Sequence, residues 1–138
     1  MKDIKKILNN LQKQDGKAVI NMVDHSILAD SYVQSIVRCG DRRPNATDHI
    51  KPETVRYVQN QMNWDGITYF TDKTFQGVKN VSSPIKIAWV IEPKDLLPQI
   101  YEVVVANEDE FDLIFTYEKE LLDRNPEKYK FHFCDAIN

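Results

Sequence analysis

The spacing of apolar positions changes several times along the chain, and each change predicts an element. In "DIKKILNNLQKQDG", Ile4, Ile7, Leu8 and Leu11 fall at i, i+3, i+4 and i+7. That is the stripe of an amphipathic helix, which Asp3 can cap and Gly16 can end. "KAVINMVD" follows as a short run rich in Val and Ile, so Ala18 to Val23 read as a buried strand. "HSILADSYVQSIVRCG" returns to helical spacing, with Leu28, Tyr32 and Ile36 in one row, Val33 and Val37 beside it, and Gly40 as the stop. "DRRPNATDHIK" is polar and reads as a loop. Pro52 suits the first position of a further helix, "PETVRYVQNQM", with Val55, Val58 and Met62 along one side.

Beyond Asp65-Gly66 the period shortens again. "ITYFT" is a strand by its β-branched and aromatic content. A long polar connection, "DKTFQGVKNVSSP", leads to "IKIAWVI", the clearest strand in the sequence. Pro98 opens a helix, "PQIYEVVVANEDE", whose apolar face includes Ile100, Tyr101 and Val104. "FDLIFT" is a fourth strand and "YEKELLDRN" a short helix that Asn125-Pro126 ends. "KYKFHFC" alternates like an edge strand. Strands separated by helices need crossovers, which makes the sheet parallel. The expected fold is a three-layer, Rossmann-like α/β domain over residues 1–138, with a mainly parallel sheet of about five strands and helices on both faces.

Composition narrows the function classes. The 138 residues carry a formal net charge of −3, so no basic footprint points to nucleic acid. The one basic cluster, Asp41-Arg42-Arg43, contains its own acid and reads as a solvated loop. No apolar run approaches the roughly 18 residues of a membrane helix. Two distant cysteines, Cys39 and Cys134, and no secretory signal make a reducing cytoplasm the expected location. In that setting the sequons at Asn45 and Asn80 are chance matches. His25, His49 and His132 are isolated, so no metal is expected. Neither GxGxxG nor a Walker loop is present, and no cofactor is expected.

Ligands of open parallel sheets bind outside the carboxyl ends of the strands, near the point where strand order reverses. The residues just past each strand are Asp24 and His25, Thr71 to Lys73, Glu92, and Tyr117 with Glu118. Polar residues follow most strands, so each has an ordinary reading: Asp24 can cap a helix, His25 can be a surface histidine, Asp72 can cap a turn, and Lys73 can be solvated. Glu92 is the most distinctive, because Pro93 holds it extended and projects it along the strand axis.

The segments "KIAWVIEP", "EFDLIFTYEKELL" and "KYKFHF" together resemble the first half of the α1,3-fucosyltransferase family of glycosyltransferases, phage and marine-bacterial members included. Phe111-Asp112 stand at the family's Phe-Asp signature, Thr116-Tyr117-Glu118 at the aromatic-acid position after it, and Lys128-Tyr129-Lys130 at its "rYlr" strand. "WDGITYFTD" resembles the strand upstream, so the likeness covers residues 64–133. It implies a two-domain GT-B enzyme whose first half receives the acceptor and whose second binds a guanosine-diphosphate sugar. Glu92 would be the general base of an inverting transfer. Asp24, His25, Thr71, Asp72, Lys73, Tyr117 and Glu118 are the candidate acceptor-binding residues. The sequence departs from the family in lacking the donor-binding half, so the chain alone is expected to be inactive. A homodimer or a separate donor-binding chain would be its protein partner, and a saccharide its ligand. The alternative expectation is a non-catalytic α/β module for small-ligand binding or self-association.

Overall fold

The computed structural model describes residues 3, 5, 6, 13, 14, 16–23 and 55–132. Its centre is a seven-stranded sheet. The strands are β1 (Lys13–Gln14), β2 (Lys17–Val23), β3 (Val55–Gln59), β4 (Ile67–Thr71), β5 (Ile85–Trp89), β6 (Leu113–Thr116) and β7 (Tyr129–Phe131). β3 pairs with β2, and β2, β4, β5, β6 and β7 follow in order, all parallel. β1 is the exception, an antiparallel arm on β2. The chain therefore steps from β2 outward to β3, then returns past β2 to build β4 through β7. Strand order reverses between β2 and β4, where such sheets offer a crevice.

The mainly parallel α/β fold expected from the strand–helix alternation is present, and the sheet is wider than expected. The apolar spacing of "PETVRYVQNQM" predicts a helix, yet Val55–Gln59 form β3, registered against Ala18–Met22. Val55 and Val58 fit helical spacing, but Val55 and Tyr57 equally fit strand alternation, and β2 offered an open edge to pair with. The helix over "DIKKILNNLQKQDG" also ends earlier than assigned. Lys5 and Lys6 are helical, and Asp3 accepts a hydrogen bond from the Lys6 amide at 3.1 Å as a cap would. Lys13–Gln14, however, turn back onto Lys17 and Ala18. Gly16 makes that reversal with φ of 76°, a backbone state costly for residues with a Cβ. The expected helix from Leu28 to Val37 lies outside the described residues.

The connection after β4 is not an irregular loop. Asp72–Asn80 form a 3₁₀ segment, η1. Phe75, Val78 and Val81 recur every three residues and are all buried, matching the 3₁₀ period. Pro98–Ala106 form α1 with proline in its first turn, as expected, and Lys119–Leu122 form α2. A short 3₁₀ turn, η2, spans Glu108–Glu110.

One face of the sheet carries the main core. Phe70, Ala88 and Ile114 from the strands meet Phe75 and Val78 of η1, Ile100, Tyr101 and Val104 of α1, and Leu121 of α2. Phe111 stands edge-on to Phe70 at 5.7 Å and to Phe75 at 5.9 Å, joining strand to 3₁₀ segment. The opposite face bears a second apolar cluster of Ile20, Ile67, Ile85 and Ile87.

The polar Thr68 and Thr116 are fully buried, as is Asn21 of β2. Its amide donates to the Gln61 carbonyl at 2.8 Å and Thr68 Oγ1 at 3.1 Å, and its oxygen accepts from the Gln61 amide at 3.0 Å. A buried amide needs such partners. Here they lock β2 to β4 at the reversal point. Among the described residues no helix is long and apolar enough to cross a membrane.

Candidate functional site

At the carboxyl edge, beyond β5, side chains hold the backbone of the Ile91-Glu92 dipeptide. Asp72, the first residue of η1, accepts from the Ile91 amide through Oδ1 at 2.9 Å and from the Glu92 amide through Oδ2 at 3.1 Å. The Tyr117 hydroxyl donates to the Ile91 carbonyl at 3.3 Å, and the Tyr101 hydroxyl to the Glu92 carbonyl at 3.1 Å. All four polar backbone groups of the dipeptide are thus taken by side chains from three other segments. A turn that leaves the sheet has no ladder to satisfy those groups, and a half-buried one cannot rely on water. Pro93 then denies Glu92 a helical conformation. The outcome is a half-buried glutamate on a fixed stalk.

The surroundings of that stalk are acidic and phenolic. Burial raises Asp72 above the ordinary carboxylate range; the two amide bonds oppose this, and the nearby Glu92 charge adds to the rise. Tyr101 is pushed well above the usual phenol value by burial, then by Glu118, Tyr117 and Asp72. It therefore remains a hydroxyl donor throughout the neutral range. Among the described residues no group of three or more His, Cys, Asp or Glu side chains could hold a metal ion.

Two recesses flank this edge. A groove of about 430 Å³ runs between η1 and α1, lined by Asp72, Lys73, Gln76, Gln99, Ile100 and Val103. On the other sheet face, Met22, Tyr69, Trp89, Phe115 and His132 line a smaller aromatic recess of about 210 Å³. The His132 ring lies 5.3 Å from that of Trp89 and 5.9 Å from that of Phe115.

The candidate residues divide accordingly. Glu92, Asp72, Tyr117, Glu118 and Lys73 gather at one edge, as a parallel sheet requires. Asp72 and Tyr117 spend hydrogen-bonding capacity on the Glu92 turn. Glu118 is half-buried and heads α2. Thr71 is buried at 5% exposure, and its amide donates to Thr74 Oγ1 at 3.0 Å. It stands at the head of η1 and, like Tyr117 and Glu118, does not line the groove. Asp24 and His25 lie outside the described residues. The Phe-Asp pair has structural work: Phe111 fills the core, and Asp112 Oδ2 accepts from the Lys86 amide at 2.8 Å, tying β6 to β5.

Sequence reasoning missed Gln76, Gln99 and Tyr101 as site residues. By its spacing Tyr101 belongs to the apolar face of its helix, and only the fold reveals that its hydroxyl reaches the turn. The glutamines sit on elements whose facing sides no local pattern could pair. No known protein family, curated protein or solved structure matches the chain.

Proposed function

We propose that the chain is the acceptor-side domain of an inverting, fucosyltransferase-like glycosyltransferase, with Glu92 as its general base. The observation that carries this reading is the fourfold hold on the Ile91-Glu92 backbone. A general base must be kept within hydrogen-bonding reach of the proton it removes, and orientation of this kind accounts for much of a catalyst's advantage. A solvated strand end has no need for three side chains from three segments.

In the proposed step, Glu92 takes the proton of an acceptor hydroxyl as that oxygen attacks the anomeric carbon of a nucleoside-diphosphate sugar. The new carbon–oxygen bond forms on the face opposite the departing diphosphate, which leaves with the bonding electron pair. Charge on the leaving diphosphate calls for cationic or amide donors. At this edge Lys94 is engaged by Glu120 at 2.6 Å, and Lys73 stands beside the carboxylate of Asp72. The donor half of such an enzyme would supply that stabilisation, so the isolated chain should bind saccharide without turning it over.

Saturation-transfer NMR on the purified chain tests the reading. Neutral di- and trisaccharides should receive transfer, while guanosine-diphosphate sugars should not. Transfer to the nucleotide sugar with silence from every saccharide would overturn it. In that case the self-contained ligand-binding module becomes the better account.

A further inference from the structure

We infer that the groove between η1 and α1 is the subsite that seats the acceptor, binding a neutral pyranose through Gln76 and Gln99. This rests on the acceptor-domain reading and names residues for it. At about 430 Å³ the groove falls within the roughly 300–1,000 Å³ typical of small-ligand sites.

Its walls match an amphipathic ring. Ile100, 4% exposed, and half-buried Val103 offer an apolar floor for the C–H face of a sugar. Gln76 projects from η1 and Gln99 from α1, so the two amides stand on opposite walls. Each amide both donates and accepts, as a hydroxyl does, whereas a lysine only donates and an ionised carboxylate only accepts. The side chains of Gln76, Gln99 and Lys73 make no hydrogen bond or ion pair with the described residues. Their capacity is therefore available to a ligand.

Charge argues against an anionic occupant. The single cation, Lys73, adjoins Asp72 on the same wall, so a phosphate would meet one attractive and one repulsive charge. Asp72 also connects the groove to the chemistry. The carboxylate that lines one end of the groove is the one that holds the Ile91 and Glu92 amides. A ring seated on Ile100 thus shares the groove with Asp72, the support of the proposed base.

Isothermal titration of the full chain with neutral disaccharides, unaltered and as the Gln76→Ala/Gln99→Ala double variant, tests this. Both positions are exposed, so the melting temperature should hold, and circular dichroism checks that it does. Affinity should drop about tenfold or more in the double variant, the expected loss for two hydrogen bonds. A Lys73→Ala variant should lose less than threefold. Unchanged affinity in the folded double variant would overturn the groove as the subsite while leaving the acceptor reading intact. Absence of heat with the unaltered chain would remove both.

Discussion

Asp72 holds together what the site needs and strains it at the same time. Its two oxygens satisfy two consecutive amides, so Asp72→Ala leaves both without a partner in a half-buried turn. The expected cost is about 2–3 kcal/mol from the loss of two charge-assisted hydrogen bonds, read as a lower urea midpoint with little change in slope. Asp72→Asn should cost less, since one oxygen still accepts while the new NH₂ group confronts an amide donor. The raised pKa gives a sign as well. The folded chain binds this proton more tightly than the unfolded chain, so the Asp72 contribution favours folding at low pH. It declines as pH rises from the ordinary carboxylate value through the raised one. Measured stability of the unaltered chain minus that of Asp72→Asn should therefore fall across that window. A flat difference would show that Asp72 is not perturbed. None of this was visible in "FTDKTF", where Asp72 reads as a turn cap. What the sequence did show was Glu92: Pro93 sets its backbone locally, and no distant partner is needed to notice it.

Elements repeat that division between local and distant causes. β5, β6 and α1 follow from local patterns: two short apolar runs bounded by polar residues, and proline ahead of a helical stripe. β3 did not, because five residues of "VRYVQ" fit both periods and a neighbouring strand decided between them. The sequence of η1 reads as a polar connection, although Phe75 and Val78 already repeat at three. The closing arrangement at the far edge depends on contacts equally remote in sequence. Tyr129 of β7 donates to Glu108 Oε2 at 2.5 Å, and Arg124 grips the same carboxylate through Nη2 at 2.8 Å and Nε at 3.1 Å. Arg124 first, then Tyr129, holds Glu108 below the ordinary carboxylate range. This group works in the opposite direction to Asp72. Its stabilisation is complete above the ordinary carboxylate pKa and disappears as pH falls through the depressed value. Acid unfolding followed by circular dichroism should show a shallower decline in Glu108→Gln than in the unaltered chain. Tyr129→Phe should lower neutral-pH stability by about 1.5 kcal/mol, the typical worth of a hydrogen bond to a charged group. Equal acid profiles for the unaltered chain and Glu108→Gln would refute the η2–β7 clamp.

At the scale of the whole molecule, a parallel sheet converts scattered strand-end residues into one edge, and that conversion was foreseeable from strand–helix alternation. The position of the order reversal was not, because it depends on β3 pairing outward from β2. Asn21 marks the reversal from inside the sheet: its side chain bonds the Gln61 backbone and Thr68, tying β2 to β4 and the turn before it. The edge then holds a glutamate on a fixed stalk, a groove with two unengaged amides beside it, and an aromatic recess on the opposite face. The central claim is that this edge receives a saccharide at Glu92. The most direct test is a backbone amide shift titration of the labelled chain with neutral disaccharides. The account predicts saturable shifts at Ile91 and Glu92, extending through Asp72 and Lys73 into Gln76 and across to Gln99. A folded sample whose Ile91 and Glu92 resonances stay fixed with every saccharide would contradict it.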